Sequence, residues 1–394
     1  MKATLYISLI CVAAFFGCKA EVVHAPDPAP APESRPAAPD SHYSPNAVQH
    51  TFYEVGETVD PALSWDGGVL YFASSQNSAT FEIYGKKVGE IPVVQLTSGP
   101  GDKCQPCVSP DGRYLAYVSN KNGNWDIFVL PLSLRAKPVQ MTNSRGDDVH
   151  PSWSPDGARI VYSSYNSKAA RWELMLITLS RQGWERTALN VEGLFPAWQP
   201  VEGSETIVFQ KPRGRSPSLY GLWTVTPDGK QLTEIMDSTL FAAVTPAWSR
   251  NGKWIIFSSV PAGSALEGRA GNLWMVGADG NSMAKISEGA APEYSPACAP
   301  DGAIYFTTLR NGVKNIWSIT PDYGNEETKD KGLSPPRTDV AALERTAVEC
   351  PAARQYSVTP FCGNGARPPS GAGNSGVSES QPGAAVLHNP NMLH

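Results

Sequence analysis

Prolines at positions 61, 106, 151, 196, 246 and 296 recur at intervals of 45, 45, 45, 50 and 50 residues. Self-similarity at such a period marks a chain built from repeated supersecondary units, none of which can bury its apolar faces alone. The residues around the prolines recur with them. Two copies are near-ideal: Pro106-Cys107-Val108-Ser109-Pro110-Asp111-Gly112 and Pro151-Ser152-Trp153-Ser154-Pro155-Asp156-Gly157. The others are degenerate, as in Pro61-Ala62-Leu63-Ser64-Trp65-Asp66-Gly67 and Pro246-Ala247-Trp248-Ser249-Arg250-Asn251-Gly252.

Each unit can be read from local chemistry. Ser-Pro-Asp-Gly suits a type I turn, with Ser first, Pro presetting φ second and Gly fourth. An alternating strand follows, such as residues 159–164 or 254–259. A second aromatic strand comes about ten residues later, at 125–129, 172–177, 222–225, 273–276 and 316–319. Short fourth strands are predicted at 94–97, 139–142, 231–233 and 285–287. Four antiparallel strands per repeat make one propeller blade, apolar on both faces, which must stack between neighbours in a closed ring. The fold class predicted is therefore all-β: a six-bladed β-propeller of four-stranded antiparallel blades over 47–320, with disordered N- and C-terminal extensions. Trp153, Trp198 and Trp248 are expected to pack between blades. The sixth unit supplies only three strands before Pro321. Gln49-His50-Thr51-Phe52 lies 45 residues before the fourth strand of the first unit. Residues 47–52 are therefore predicted to complete the last blade; residues 332–336 are the weaker candidate.

The flanks differ in composition. Lys2 and an apolar run over 3–16 form a targeting segment too short to span a bilayer comfortably. The run ends Phe15-Phe16-Gly17-Cys18, which resembles a bacterial lipoprotein signal (residues 1–17) and implies Cys18 as the lipidated residue. An ordinary signal cleaved after Ala20 fits the same residues. Residues 18–46 form a tether whose 25–45 stretch carries seven prolines, a semi-stiff spacer. Residues 321–394 lose the period and read as a low-complexity, mostly disordered tail.

The repeat resembles that of TolB-like propellers of the bacterial envelope, over residues 47–320. The TolB protein itself carries an N-terminal α/β domain that contacts an inner-membrane partner; here a proline-rich spacer stands in that place. The resemblance implies a periplasmic protein, lipid-anchored to the outer membrane, that docks an envelope protein or peptide such as a peptidoglycan-associated lipoprotein.

A net charge of −5 over 394 residues gives no footprint for nucleic acid. The one basic cluster, Lys211, Arg213 and Arg215, reads as a solvated loop. Of six histidines, only His150 lies inside the blades. This argues against a histidine-rich metal site or a Ser-His-Asp triad, and no Gly-x-Ser-x-Gly elbow occurs. No catalytic residue and no cofactor are predicted, although a cation such as calcium in the channel would fit an alternative enzymatic or carbohydrate-binding propeller. Cys104 and Cys107 form a C-x-x-C that reads as buried small residues. Cys350 and Cys362, in an oxidising compartment, are a candidate disulfide.

Acids form the remaining pattern. Glu57, Asp102, Asp147 and Glu192 each stand four residues before a repeat proline. Asp148, His150 and Glu293 lie beside equivalent places. Equivalent positions share a radius in a ring, so these residues are expected to gather at one face of the channel and attract a cation or basic segment. The competing reading is that each acid caps its own turn.

Overall fold

A computed structural model describes residues 46–133, 137–213, 216–238, 240–261, 271–288, 291–310 and 312–321. It forms six four-stranded antiparallel sheets. Five are continuous in sequence. The sixth takes Glu293–Cys298, Ile304–Arg310 and Val313–Ile319 from one end of the repeat region and Val48–Gln49 from the other. The innermost strands are Thr58–Leu63, Lys103–Val108, Asp148–Trp153, Leu194–Trp198, Phe241–Trp248 and Glu293–Cys298. Each contacts its two neighbours in the series and the first contacts the sixth, so the ring is closed.

The turn motif behaves as its chemistry requires. Gly112 N donates to Ser109 O and Gly157 N to Ser154 O, both at 2.9 Å. Ser109 Oγ donates to Asp111 Oδ1 at 2.5 Å. The same side-chain clamp holds Ser64 to Asp66 and Ser249 to Asn251. The repeat proline marks something the turn does not explain. Each innermost strand breaks register around it, between Val59/Ala62, Cys104/Cys107, Val149/Ser152, Leu194/Ala197, Val244/Ala247 and Tyr294/Ala297. At every break the residue before the proline has positive φ: Asp60 55°, Gln105 53°, His150 56°, Phe195 51°, Thr245 50° and Ser295 53°. Proline has no N–H for the ladder, so a bulge is where an inner strand tolerates it. None of the six residues is glycine, so the conformation costs roughly 1 kcal/mol at each and must be held by the surrounding ring.

Apolar clusters fill the seams between blades. Leu63, Leu70 and Phe72 of the first blade pack on Ala303, Tyr305 and Ile316 of the sixth. The tryptophans sit in seams as expected and are buried. Trp153 Nε1 donates to Cys107 O of the blade before it at 3.1 Å, and Trp248 Nε1 to Ala197 O at 3.0 Å. Arg250 occupies the turn position that is proline in the best repeats. Its guanidinium reaches across the sixth blade to Cys298 O, Leu63 O and Ser64 O.

The closing strand is where the repeat register puts it. Val48 pairs with Ser318 and Gln49 with Trp317. His50 N donates to Ile316 O at 2.9 Å and Thr51 Oγ1 to Asn315 Oδ1 at 2.9 Å. Residues 332–336 lie outside the described residues. Two outer strands are shifted from their expected places: they run Thr233–Met236 and Met283–Lys285. The third blade has the longest outer strand, Gly183–Glu192, in a hairpin with Arg171–Ser180 whose register is continuous from Met175 to Ser180 and shifts between Glu173 and Met175. Short outer strands take their register from the strand they join, which composition alone does not specify.

Candidate functional site

The six pre-proline residues stand at equivalent points of the innermost strands and form a belt around the channel. Hydrogen bonds link Ser295, Asp60, Gln105 and His150 from blade to blade, and tie Thr245 to Gln210 on the second strand of the fourth blade. Gln105 N donates to Asp60 Oδ2 at 3.2 Å, and His150 N donates to Gln105 Oε1 at 2.8 Å. Thr245 N donates to Gln210 Oε1 at 2.9 Å. Asp60 also accepts Ser295 Oγ at 3.3 Å, and its own N–H donates to Thr307 Oγ1 at 3.2 Å. Side chains on one blade thus hold the strained backbone of the next. Between the third and fourth blades the imidazole of His150 stacks on Phe195 instead, with centroids 3.5 Å apart. Of the belt, sequence reasoning singled out His150 alone. The others share its period, but nothing in the sequence shows that a bulge turns this position rather than its neighbours toward the axis.

Burial raises the Asp60 carboxyl to about 6, against hydrogen bonds from Gln105 and Ser295 that lower it. Burial alone lowers His150 to about 3. These shifts oppose one another in stability. Folding keeps His150 neutral, so its contribution is present above pH 6.5 and is lost as pH falls toward 3. Folding keeps Asp60 protonated longer, so its contribution grows as pH falls from about 6 to 3.8. At 1.36 kcal/mol per pH unit the histidine effect is on the order of 4–5 kcal/mol and the larger of the two. His150→Phe is therefore expected to lose less stability than the parent between pH 7 and pH 4, read as urea midpoints. Equal losses would show that the imidazole does not resist protonation.

The residues at the minus-four position share one environment in three successive blades. Each reaches back to the start of the third strand of the preceding blade. Asp102 Oδ1 accepts Phe81 N at 2.9 Å, Asp147 Oδ1 accepts Trp125 N at 3.0 Å, and Glu57 Oε2 lies 3.0 Å from Lys314 Nζ. These acids therefore splint neighbouring blades at the end where the chain crosses between them. Glu192 is half-buried and stands opposite Glu173 in the third-blade ladder. One residue further on, the side chains enter the seams. Asp148 is buried, accepts Ser144 Oγ at 2.8 Å, and helps burial raise Asp126 to about 6. Glu293 is buried against Ser287 Oγ and Arg310, and burial raises its carboxyl. The same position in the second blade holds Lys103, paired with Glu82 at 2.8 Å. Alternation along a strand sends adjacent residues to different faces, which explains the split between Asp147 and Asp148.

Lys211 and Arg213 lie not in a solvated loop but in the strand Ile207–Arg213, which pairs with the strand after it. Arg213 pairs with Asp237, and Lys211 lies 4.6 Å from the Trp223 ring centroid. Cys107 carries a free thiol, so the C-x-x-C is not closed on itself, and burial pushes that thiol up to about 11. Among the described residues no group of three or more His, Cys, Asp or Glu is placed to hold a metal ion. Cys18, Arg215, Cys350 and Cys362 lie outside the residues whose side chains are described.

A closed ring of six such blades, with bulged inner strands and Ser-Pro-Asp-Gly turns, defines a β-propeller repeat protein. Residues 46–236 match the family model described as TolB beta propeller domain. The chain is a six-bladed propeller that is TolB-like over that stretch. A TolB structure from Agrobacterium tumefaciens matches with a TM-score of 0.51 at 21% identity, over 67% of this chain and 90% of that one. TolB from Acinetobacter baumannii gives 0.48 at 14%, over 68% and 64%. An oligogalacturonate lyase from Vibrio parahaemolyticus gives 0.47 at 15%, over 70% and 92%. No curated protein matches the chain.

Proposed function

We propose that this propeller is a non-enzymatic docking module of the bacterial cell envelope, periplasmic and held to the outer membrane through Cys18, with the proline-rich segment as spacer. It takes a basic segment of an envelope protein or peptide on the face that carries Glu57, Asp102, Asp147 and Glu192. The observation that supports this reading is the equivalence of the first three acids, each at the same blade crossing and hence on the same face. Like charges held at one mouth of a ring raise its negative potential and steer cationic partners. The match of residues 46–236 to the TolB propeller family supports a protein-binding role. An imidazole held near pKa 3 is a poor general base at neutral pH.

The test is cross-linking in intact cells, comparing the parent with a variant carrying Glu57→Gln, Asp102→Asn, Asp147→Asn and Glu192→Gln. A carboxamide oxygen still accepts the Phe81 and Trp125 amides, so those two contacts are retained, while the Glu57–Lys314 ion pair becomes at most a hydrogen bond. Loss of the captured partner, in a variant whose melt stays within a few degrees of the parent, is the expected result. Undiminished capture would reject the acidic face as the docking surface.

A further inference from the structure

The belt of pre-proline residues contains one side chain whose ring packs against the next blade but whose polar atoms the fold does not use. His150 is 8% exposed, yet neither Nδ1 nor Nε2 has a hydrogen-bond partner. Leaving a buried polar atom unpaired costs about 1–3 kcal/mol, and the large majority of such atoms in folded proteins are paired. A phenylalanine would fill the same space beside Phe195 without that cost. Proteins retain destabilising polar groups mainly where a ligand or a reaction uses them.

The surroundings restrict what could use this one. A desolvated imidazole stays neutral and offers one donor and one acceptor. The other pre-proline side chains are a carboxyl, a carboxamide, two hydroxyls and a phenyl ring, so the belt holds no cationic group to receive an anion. A cation would satisfy the acceptor nitrogen and leave the N–H unpaired. A hydroxyl donates and accepts from one rotatable atom, so it matches either nitrogen whatever the tautomer. Planar polar groups spaced one blade apart around an axis, with the half-buried face of Phe195 among them, suit a compact polyol with an apolar ring face.

We propose that this belt binds a neutral saccharide, its hydroxyls paired with the ring nitrogens of His150 and with Gln105 and Asp60, and one sugar face against Phe195. Phe195 covers the imidazole in the structure, so entry requires that ring to move off His150. The belt residues are not the acids of the proposed docking face.

The chain has six histidines, few enough for their imidazole nitrogens to be resolved by NMR on the full chain labelled with ¹⁵N-histidine. His150→Phe assigns the His150 signals and keeps a ring on Phe195. D-Glucose, D-galactose and N-acetyl-D-glucosamine are the neutral probes, with D-glucosamine and D-galacturonate as charged ones. A neutral sugar is expected to move the His150 nitrogen signals to saturation at millimolar concentration. By calorimetry, its affinity is expected to fall about tenfold or more, some 1.4 kcal/mol, in His150→Phe. The proposal is overturned if no neutral sugar moves those signals, if only a charged sugar does, or if His150→Phe binds as tightly as the parent.

Discussion

Deletion of residues 47–52 is expected to lower the melting temperature by roughly 10 °C or more. The segment, which leads into the first blade, contributes the outer strand of the last blade and so ties the two ends of the repeat region together. Its removal breaks the pairings of Val48 and Gln49 with Ser318 and Trp317 and the bond from His50 N to Ile316 O. It also strips Asn315 Oδ1 of Thr51 Oγ1 and the Ile316 amide of the same hydroxyl, both inside the protein. Lys86 Nζ of the first blade loses its acceptor, His50 O, at 2.9 Å. Five or so hydrogen bonds at about 1 kcal/mol each, with buried groups left unpaired, put the loss near 5 kcal/mol. Val313–Ile319 would become an open edge. Differential scanning calorimetry on the full chain reads the effect, and an unshifted melt would show that the ring holds without this strand.

The second large effect lies in the seam between the first two blades. Lys103→Met is expected to cost about 3–5 kcal/mol, because it leaves the Glu82 carboxylate charged and buried without its partner. Lys103 and Glu82 are 2.8 Å apart with side chains only 4% and 3% exposed. The ammonium also donates to Gly99 O and Gly101 O, and the carboxylate accepts Thr97 Oγ1 at 2.6 Å. The double variant Lys103→Met with Glu82→Leu removes both charges and is expected to recover a large part of the loss. Recovery falls short of complete because the two glycine carbonyls lose their donor. Urea unfolding of the parent, both single variants and the double variant closes the cycle. A single-variant loss below about 1 kcal/mol would mean that the pair is hydrated and behaves as a surface salt bridge.

The two predictions draw on different kinds of information. The closing strand was legible because 45-residue spacing is a property of the chain, and Gln49 and His50 fall in the slot that spacing defines. The same holds for the blade count, the Ser-Pro-Asp-Gly turns and the seam positions of Trp153 and Trp248. The Lys103–Glu82 pair was not legible. The two residues are 21 apart with no motif connecting them, and only the stacking of one blade on the next brings them together.

The candidate site divides in the same way. That acids recur four residues before the prolines is a matter of counting; that Asp102 and Asp147 reach back to Phe81 and Trp125 depends on how neighbouring blades are stacked. The belt shows the division most directly. Position minus one is as periodic as position minus four, but a side chain's direction in a strand reverses with each residue, and a bulge shifts that count by one. The sequence by itself determined how many blades there are, where each turns and which segment closes the ring, because those follow from period and local chemistry. Which side chains face the axis, and which are buried between blades, was decided only in three dimensions, by bulges and seams that form when each sheet meets the next.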